Sequence, residues 1–488
     1  MKQYIILVTL LITATISYAQ VGIGTSSPAS SSQLDVSSTT KGFLPPRMTT
    51  SQRDAISSPE TGLQIYNTDN RAIETFTGTT GQWLTIGRGK SGAITNTALG
   101  VKALYSNTTS GYYNTAIGNF TLFSNTSGDY NTANGYGALR YNTIGYDNTA
   151  NGYQSLVSNS TGFQNTANGK NSLFYNSSGS DNTANGLNCL FYNSTGNKNS
   201  AYGSGALFKN QTGNQNVAVG YNALYDNTGN YNTAVGYLAV GNNTSGTHNS
   251  AFGYTALGTN LIGISNTAFG DYSLYHNKSN NNTAVGYETL FQINSGANNT
   301  AIGYGADVSF AYLTNVTALG YNAMVNASNK VRIGNSSVTT IEGQVAFTSV
   351  SDKRIKENVQ EAVPGLSFIS ELRPVTYTLN TRKQDEITMQ AMPDSIKEKR
   401  MLSDEDYLKS SSIVRTGFIA QEVEAAANKV GFDFDGVSAP QNETDLYGIR
   451  YAEFVVPLVK AMQEQQEIIE EQQATINDLL KRIEALEE

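Results

Sequence analysis

Between about residues 91 and 345, apolar positions recur neither every second residue nor every 3.6 residues, but once in 17. Glycine marks the period. Gly100, Gly118, Gly135 and Gly152 open a series of fourteen that ends at Gly303 and Gly320, spaced by 17 with one interval of 18 and two of 16. Each copy reads roughly Asn-Thr-Ala-x-Gly-x-x-Ala/Ser-Leu-x-x-Asn-x-Ser/Thr-Gly. The leucine four residues after the glycine recurs from Leu104 to Leu290, Val240 and Met324 stand in for it, and Asp307 alone breaks the slot. Repeats of this length are single supersecondary units that stack on their neighbours. A 17-residue unit is too short for a helical pair and carries no helical stripe. The pattern predicts a coil of two short strands and two turns, the turns falling at Asn-x-Ser/Thr-Gly and at the glycine after Asn-Thr-Ala. At a strand spacing of about 4.8 Å, fourteen such coils make a rod of roughly 65 Å.

Further patterns run along the rod. The site between Ala and Gly is apolar towards both ends (Leu99, Ile117, then Val219 to Leu319) but is Asn134, Asn151, Asn168 and Asn185 in the middle, which predicts an amide ladder. Tyr136, Tyr153, Tyr221, Tyr237, Tyr254, Tyr287, Tyr304 and Tyr321 each follow a repeat glycine and should stack. Exposed, they suit sugar rings; turned towards a partner, they are structural. Cys189, the sole cysteine, reads as a stand-in for Ala or Ser before Leu190, and a single cysteine allows no intrachain disulfide. One coil buries little apolar surface, so the rod needs width or partners.

Outside the rod the pattern changes. A basic Met1-Lys2-Gln3, an apolar stretch over 4–16 and Ser17-Tyr18-Ala19 have the form of a secretory signal peptide over 1–19. That predicts an exported, extracellular or surface protein with no transmembrane segment in its mature form. In residues 20–90, segments 62–70 and 81–87 read as strands and the prolines at 45–46 as an extended linker, a region expected to attach or cap the rod. At the far end, 331–334 and 338–347 read as strands closing a shaft over 91–349. Arg373-Pro374-Val375-Thr376-Tyr377 begins a strand, 382–412 is a polar insert, and 417–423 runs from strand into helix, together a small α+β domain over 350–456. From Met462, one heptad position carries Met462, Ile469, Ile476 and Ile483 and another Gln465, Gln472, Leu479 and Leu486. This predicts a coiled coil over 457–488 with polar glutamine layers, against the alternative of a helix packed on its own domain.

Charge sharpens the division. The net charge of −8 offers no basic face for nucleic acid. Only 13 of the 70 charged residues lie between Ser91 and Asn329. The six Asp and one Glu among them are mostly isolated, which disfavours a glycan-cleaving tail-spike enzyme needing paired carboxylates. No cofactor and no metal are expected.

The boundary itself carries chemistry. Ser351-Asp352-Lys353-Arg354-Ile355-Lys356 places a serine five residues before a lysine at the seam between shaft and tail. A serine nucleophile needs a base, and both histidines, His248 and His276, fall in repeat loops. The base would have to be Lys356, stripped of its proton by burial on assembly. Asp352 and Arg354 would then orient the bond. Read alone, the residues also fit a capped helix start with solvated lysines.

Two resemblances bear on these readings. Repeats such as Asn114-Thr115-Ala116-Ile117-Gly118 and Asn315-Val316-Thr317-Ala318-Leu319-Gly320 resemble the head repeats of trimeric autotransporter adhesins, which implies a mainly β fold, a left-handed parallel β-roll wound as a trimer. The N-terminal region is similar to those of secreted tail-fibre-like proteins. The order of Ser351–Lys356, Arg373–Tyr377, 417–423 and Tyr451-Ala452-Glu453-Phe454 resembles the self-cleaving intramolecular chaperone of endosialidase tail spikes. That resemblance implies a homotrimer whose C-terminal domain lets the fibre fold and then cuts itself off, with Ser351 as nucleophile, Lys356 as base and the Ser351–Asp352 bond as the site. The competing expectation is an adhesin that binds surface glycans and keeps its trimerisation domain.

Overall fold

The computed structural model describes residues 20–78, 83–87, 95–107 and 110–487; the predicted signal peptide lies outside the described residues. Its long body is a β-solenoid. Fifteen three-residue strands, from Thr97–Leu99 to Val331–Ile333, stack in parallel and in register, so that alanine sits on alanine: Ala116 on Ala133, Ala150 on Ala167, Ala301 on Ala318. The ladder outruns the fourteen repeats at both ends. Val331–Ile333 adds a turn after the last repeat, and Arg47–Met48, Gln64–Asn67, Ala72–Phe76 and Trp83–Gly87 extend it before the first, with Ile86 opposite Leu99.

The second side of each coil differs from expectation. In place of a strand it forms a turn in which every other residue is left-handed, as at Gln154 (φ +54°) and Leu156 (φ +49°). It still bonds its neighbours as a ladder: Gln154 N–H donates to Tyr136 O and Leu156 N–H to Ser172 O, both at 2.9 Å. A left-handed leucine costs about 1–2 kcal/mol, but the turn drives each repeat leucine into the interior, where Leu122, Leu139 and Leu156 are wholly buried. Only the final coils carry second-side strands, Asp307–Val308 parallel to Met324–Val325.

Asparagine fills the rest of the interior. Asn165, from the Asn-Thr-Ala run, directs its N–H and Nδ2 to Asn148 Oδ1 (3.0 and 3.1 Å) and Nδ2 also to Gly179 O at 2.8 Å. Asn176, from the opposite turn, donates to Asn159 Oδ1 at 2.8 Å and to the same Gly179 carbonyl at 2.9 Å. Both residues are fully buried, and both ladders repeat coil after coil. Gly179 is obligatory, because a Cβ there would lie 2.4 Å from Asn176 Oδ1 and from Gly196 O. The ladder expected at the strand end exists too, but is short and half-buried: Asn151 donates to Asn168 and Asn168 to Asn185. Cys189 is buried, donates weakly to Ala201 O at 3.3 Å, and burial pushes its thiol up to about 12, which makes it inert.

Beyond Gly334 the expected strand over 338–347 is absent; every residue from Val338 to Ser351 is exposed and irregular. The tail that follows is a small α/β unit. Val375–Tyr377 pairs antiparallel with Arg415–Gly417, and the helix Ala420–Lys429 follows as expected. Its core is aromatic: Phe368, Phe434 and Phe454 surround Val423, Ala426 and Ala427. The polar insert is three helices, Thr381–Thr388, Asp394–Arg400 and Asp404–Ser411. The chain ends in a 33-residue helix, Val455–Glu487.

Candidate functional site

Ser351 lies within the exposed run, which resumes after half-buried Asp352 and continues to Ala362. Asp352 caps a single 3-10 turn, Lys353–Ile355, by accepting the Arg354 N–H at 2.8 Å, and its carboxylate pairs with the Arg354 guanidinium at 2.6 Å. That guanidinium holds Asp352 below the usual carboxylate range. Lys356 follows the turn and is exposed, as is Ser351. The single chain therefore brings Asp352 and Arg354 together, while Ser351 and Lys356 flank the turn with no hydrogen bond between them. A lysine base requires desolvation, and any such burial here would come from other copies.

Both ends of this exposed stretch are anchored. On the tail side, Glu464 of the long helix accepts the Leu366 N–H at 2.7 Å and caps the helix Leu366–Ile369. On the shaft side, the tail docks against the last coils through contacts that sequence reasoning missed. Arg400 of the insert, almost fully buried, donates from Nη2 to Asp307 Oδ2 at 3.1 Å and to Glu288 O at 2.9 Å, and its own carbonyl accepts from Asn322 at 3.3 Å. Burial pushes the Asp307 carboxyl up to about 6, against the pull of Arg400. Met389, Met392 and Ile396 cover Met324 beside this pair. Farther round, Lys330 bonds Asp445 at 2.6 Å and Asn326 bonds the Thr444 carbonyl at 2.6 Å. Burial alone would raise Asp445, but Lys330 and two backbone N–H groups outweigh it and leave it low. The signal for this dock was present in the sequence: Asp307 is the one residue that breaks the leucine slot.

Two apolar surfaces find no cover among the described residues. The long helix packs on its domain only near its start, burying Pro457 and Ala461, while Ile469, Ile476, Leu479 and Ile483 are about half exposed. At the other end, the strands Val21–Ile23 and Leu34–Val36 pair in parallel with Val21, Ile23 and Leu34 exposed. The tyrosines after the repeat glycines stack in exposed columns, Tyr221 on Tyr237 on Tyr254 and Tyr287 on Tyr304 on Tyr321, at centroid distances of 5.1–5.6 Å. No helix among the described residues is long and apolar enough to cross a membrane.

Comparison with known proteins places two of these regions. No curated protein matches the chain. Residues 22–111, which hold the exposed N-terminal strands and the first coil, match the family described as the phage tail like trimerisation region. Residues 351–432, beginning at Ser351, match the chaperone of endosialidase. The chain thus carries a phage-tail-like trimerisation region at one end of its solenoid and an endosialidase-type chaperone region at the other.

Proposed function

We propose that the protein is an exported homotrimeric fibre whose C-terminal region drives assembly of the shaft and is then severed from it at Ser351–Asp352. The observation that carries this reading is the coincidence at the seam: the chaperone match begins at Ser351, and Ser351 lies within a run of exposed, largely irregular chain between shaft and tail. Ser351 of one copy supplies the nucleophilic oxygen to the Ser351 carbonyl of a neighbouring copy, since attack on its own carbonyl would close a four-membered lactone, and Lys356, once buried between copies, takes the hydroxyl proton. The Ser351–Asp352 amide bond breaks, that proton goes to the departing Asp352 nitrogen, and water hydrolyses the resulting ester to leave a carboxyl on the shaft. The long helix joins two others along Met462, Ile469, Ile476 and Ile483, and the N-terminal region holds the other end of the trimer.

Intact mass of the chain, expressed without residues 1–19, tests the reading beside Ser351→Ala and Lys356→Ala. Fragments that meet at 351/352 are expected in the wild type and in neither variant. An uncut wild type that is still trimeric would overturn the scission and leave a permanent trimerisation domain.

The exposed tyrosine columns favour a second, compatible role, stacking against surface glycans. A glycan array that shows no binding by the wild-type fibre, or binding unchanged by Tyr237→Ser, would remove it.

A further inference from the structure

The geometry points to a latch: the helical insert Thr381–Ser411 grips the shaft through a seat for Arg400 that exists only when the last coils are stacked, and it keeps the tail on the shaft after the chain between them is cut. The seat is drawn from three successive repeats. Glu288 gives its carbonyl, Asp307 its carboxylate and Asn322 its side chain, so no single coil presents it. All these partners lie outside the exposed stretch from Val338 to Ser351. A cut in that stretch removes the covalent link and none of the docking contacts.

Gly305 shows that the shaft makes room for the insert. It occupies the second position after a repeat glycine, where other coils carry Gln154, Asn188, Asn222 or Asn322 at φ between +50° and +54°. The backbone there therefore accepts side chains. What the glycine provides is space, because a Cβ at Gly305 would lie 1.9 Å from Arg400 Nη1. Gly205 holds the equivalent position deep in the shaft at a similar φ, +69° against +65°, and a Cβ there would meet Asn222 Oδ1 at 2.1 Å much as one at Gly305 would meet Asn322 Oδ1 at 2.2 Å. Only Gly305 faces the arginine. The leucine slot tells the same story, since Asp307 replaces the apolar residue only where Arg400 arrives.

The retention claim concerns scission, which is itself the proposal above, so the test supplies its own cut. In the full chain carrying Ser351→Ala, a recognition sequence for a site-specific protease replaces residues 343–349. The chain is cleaved after assembly, and gel filtration reports whether the tail fragment travels with the shaft. Co-elution is expected for the parent and for Gly205→Ala. Gly305→Ala and Arg400→Ala should release at least tenfold more tail while eluting normally before the cut. A parent tail that separates freely, or a Gly305→Ala tail retained as well as that of Gly205→Ala, would overturn the latch. Should Gly305→Ala alone fail to assemble, Arg400→Ala, which leaves the shaft sequence intact, decides the question. Because the protease makes the cut, failure of the Ser351–Lys356 reading leaves this outcome unaffected.

Discussion

The shaft and the tail solve the same problem, the burial of a chain with little apolar surface, in opposite ways. The shaft interior is small and polar: alanine, one leucine and two asparagines per coil, each asparagine bonded along the rod and to a turn carbonyl. Before the dock, each coil is held by its neighbours along the rod. The tail uses long-range aromatic packing, Phe368 against Phe434 at 5.0 Å and Phe434 against Phe454 at 4.9 Å, and then leaves the rest of a 33-residue helix bare. A one-dimensional stack is easily extended and hard to begin, since the first coil has no partner to satisfy its asparagines. The tail has the converse property, an exposed apolar seam that seeks other copies. If the tail drives assembly as proposed, by gathering chains and offering a template to the last coils, it answers the shaft's weakness.

The sharpest way to break that contrast is to treat the shaft as if it were the tail. Asn165→Leu adds apolar surface to the interior, yet it orphans Gly179 O in part and removes the acceptor of the Asn182 N–H and Nδ2. At about 1–3 kcal/mol for each buried group left without a partner, the loss should reach about 4 kcal/mol and exceed that of Leu173→Ala in the same repeat. Thermal melting of the assembled fibre checks the order; a milder Asn165→Leu would mean that the ladders are incidental. In the tail, Phe368→Ala should cost about 3–4 kcal/mol by ordinary cavity formation. It should lower the yield of assembled fibre while leaving the melting of shafts already formed unchanged.

Sequence reasoning read the shaft well because a repeat averages out local ambiguity. The period, the turn glycines and the inward leucines all follow from spacing. It took the second side for a strand because left-handed leucines have no signature: leucine is the last residue one would place at positive φ, and only the stacked ladder holds it there. The two buried asparagine columns are visible as recurring letters, broken towards the end at Ile293 and Val316, but only the one in Asn-x-Ser/Thr-Gly reads as a turn former, and neither reads as interior. At the seam, the motif singles out Ser351, Asp352, Arg354 and Lys356 as candidates, whereas nothing in it points to the Arg400 dock, which joins residues nearly a hundred positions apart. Asp307 signalled it as a break in a pattern, without naming a partner. The N-terminal region reads from sequence as a tail-fibre-like attachment or cap, which agrees with the match there, but its trimerisation role is not legible, although Val21, Ile23 and Leu34 lie exposed on its strands.

The dock is where the two strategies meet, and a mutational cycle can separate its parts. Removing either member of a buried ion pair strands the other and costs about 3–5 kcal/mol. Asp307→Leu restores the repeat's own residue but leaves Arg400 buried without its carboxylate, so the single change should weaken docking severely. The double variant Asp307→Leu, Arg400→Met should recover to within about 1 kcal/mol of the parent, because an apolar pair of similar volume avoids the desolvation of both charges. Denaturant titration of the four proteins gives the coupling. Additive losses would show that Arg400 acts through Glu288 O and Asn322 alone.

The smallest effect has a sign that runs against intuition. Acid is expected to break ion pairs, yet the folded Asp307 carboxyl lies at about 6, above its ordinary 3.8, because burial outweighs the attraction of Arg400. A carboxyl raised on folding contributes stability that is fully present below pH 3.8 and lost as pH rises through 6. Between pH 7 and 5 the folded protein should therefore take up a proton here and gain roughly 1 kcal/mol. The other charged groups at this seat are Arg400, Glu288 and Lys399, which bonds Glu288 at 3.3 Å, while Lys330 and Asp445 pair farther round the dock. Comparing parent with the Asp307→Leu, Arg400→Met variant cancels the response of Glu288 and Lys399 and isolates Asp307. Stability that rises on acidification in the parent and stays level in the double variant would place the neutral acid in the seat of Arg400. A parent whose stability also stays level over this range and falls only below pH 3.8 would mean that the attraction of Arg400 outweighs the cost of burial, and that the pair is fully ionised.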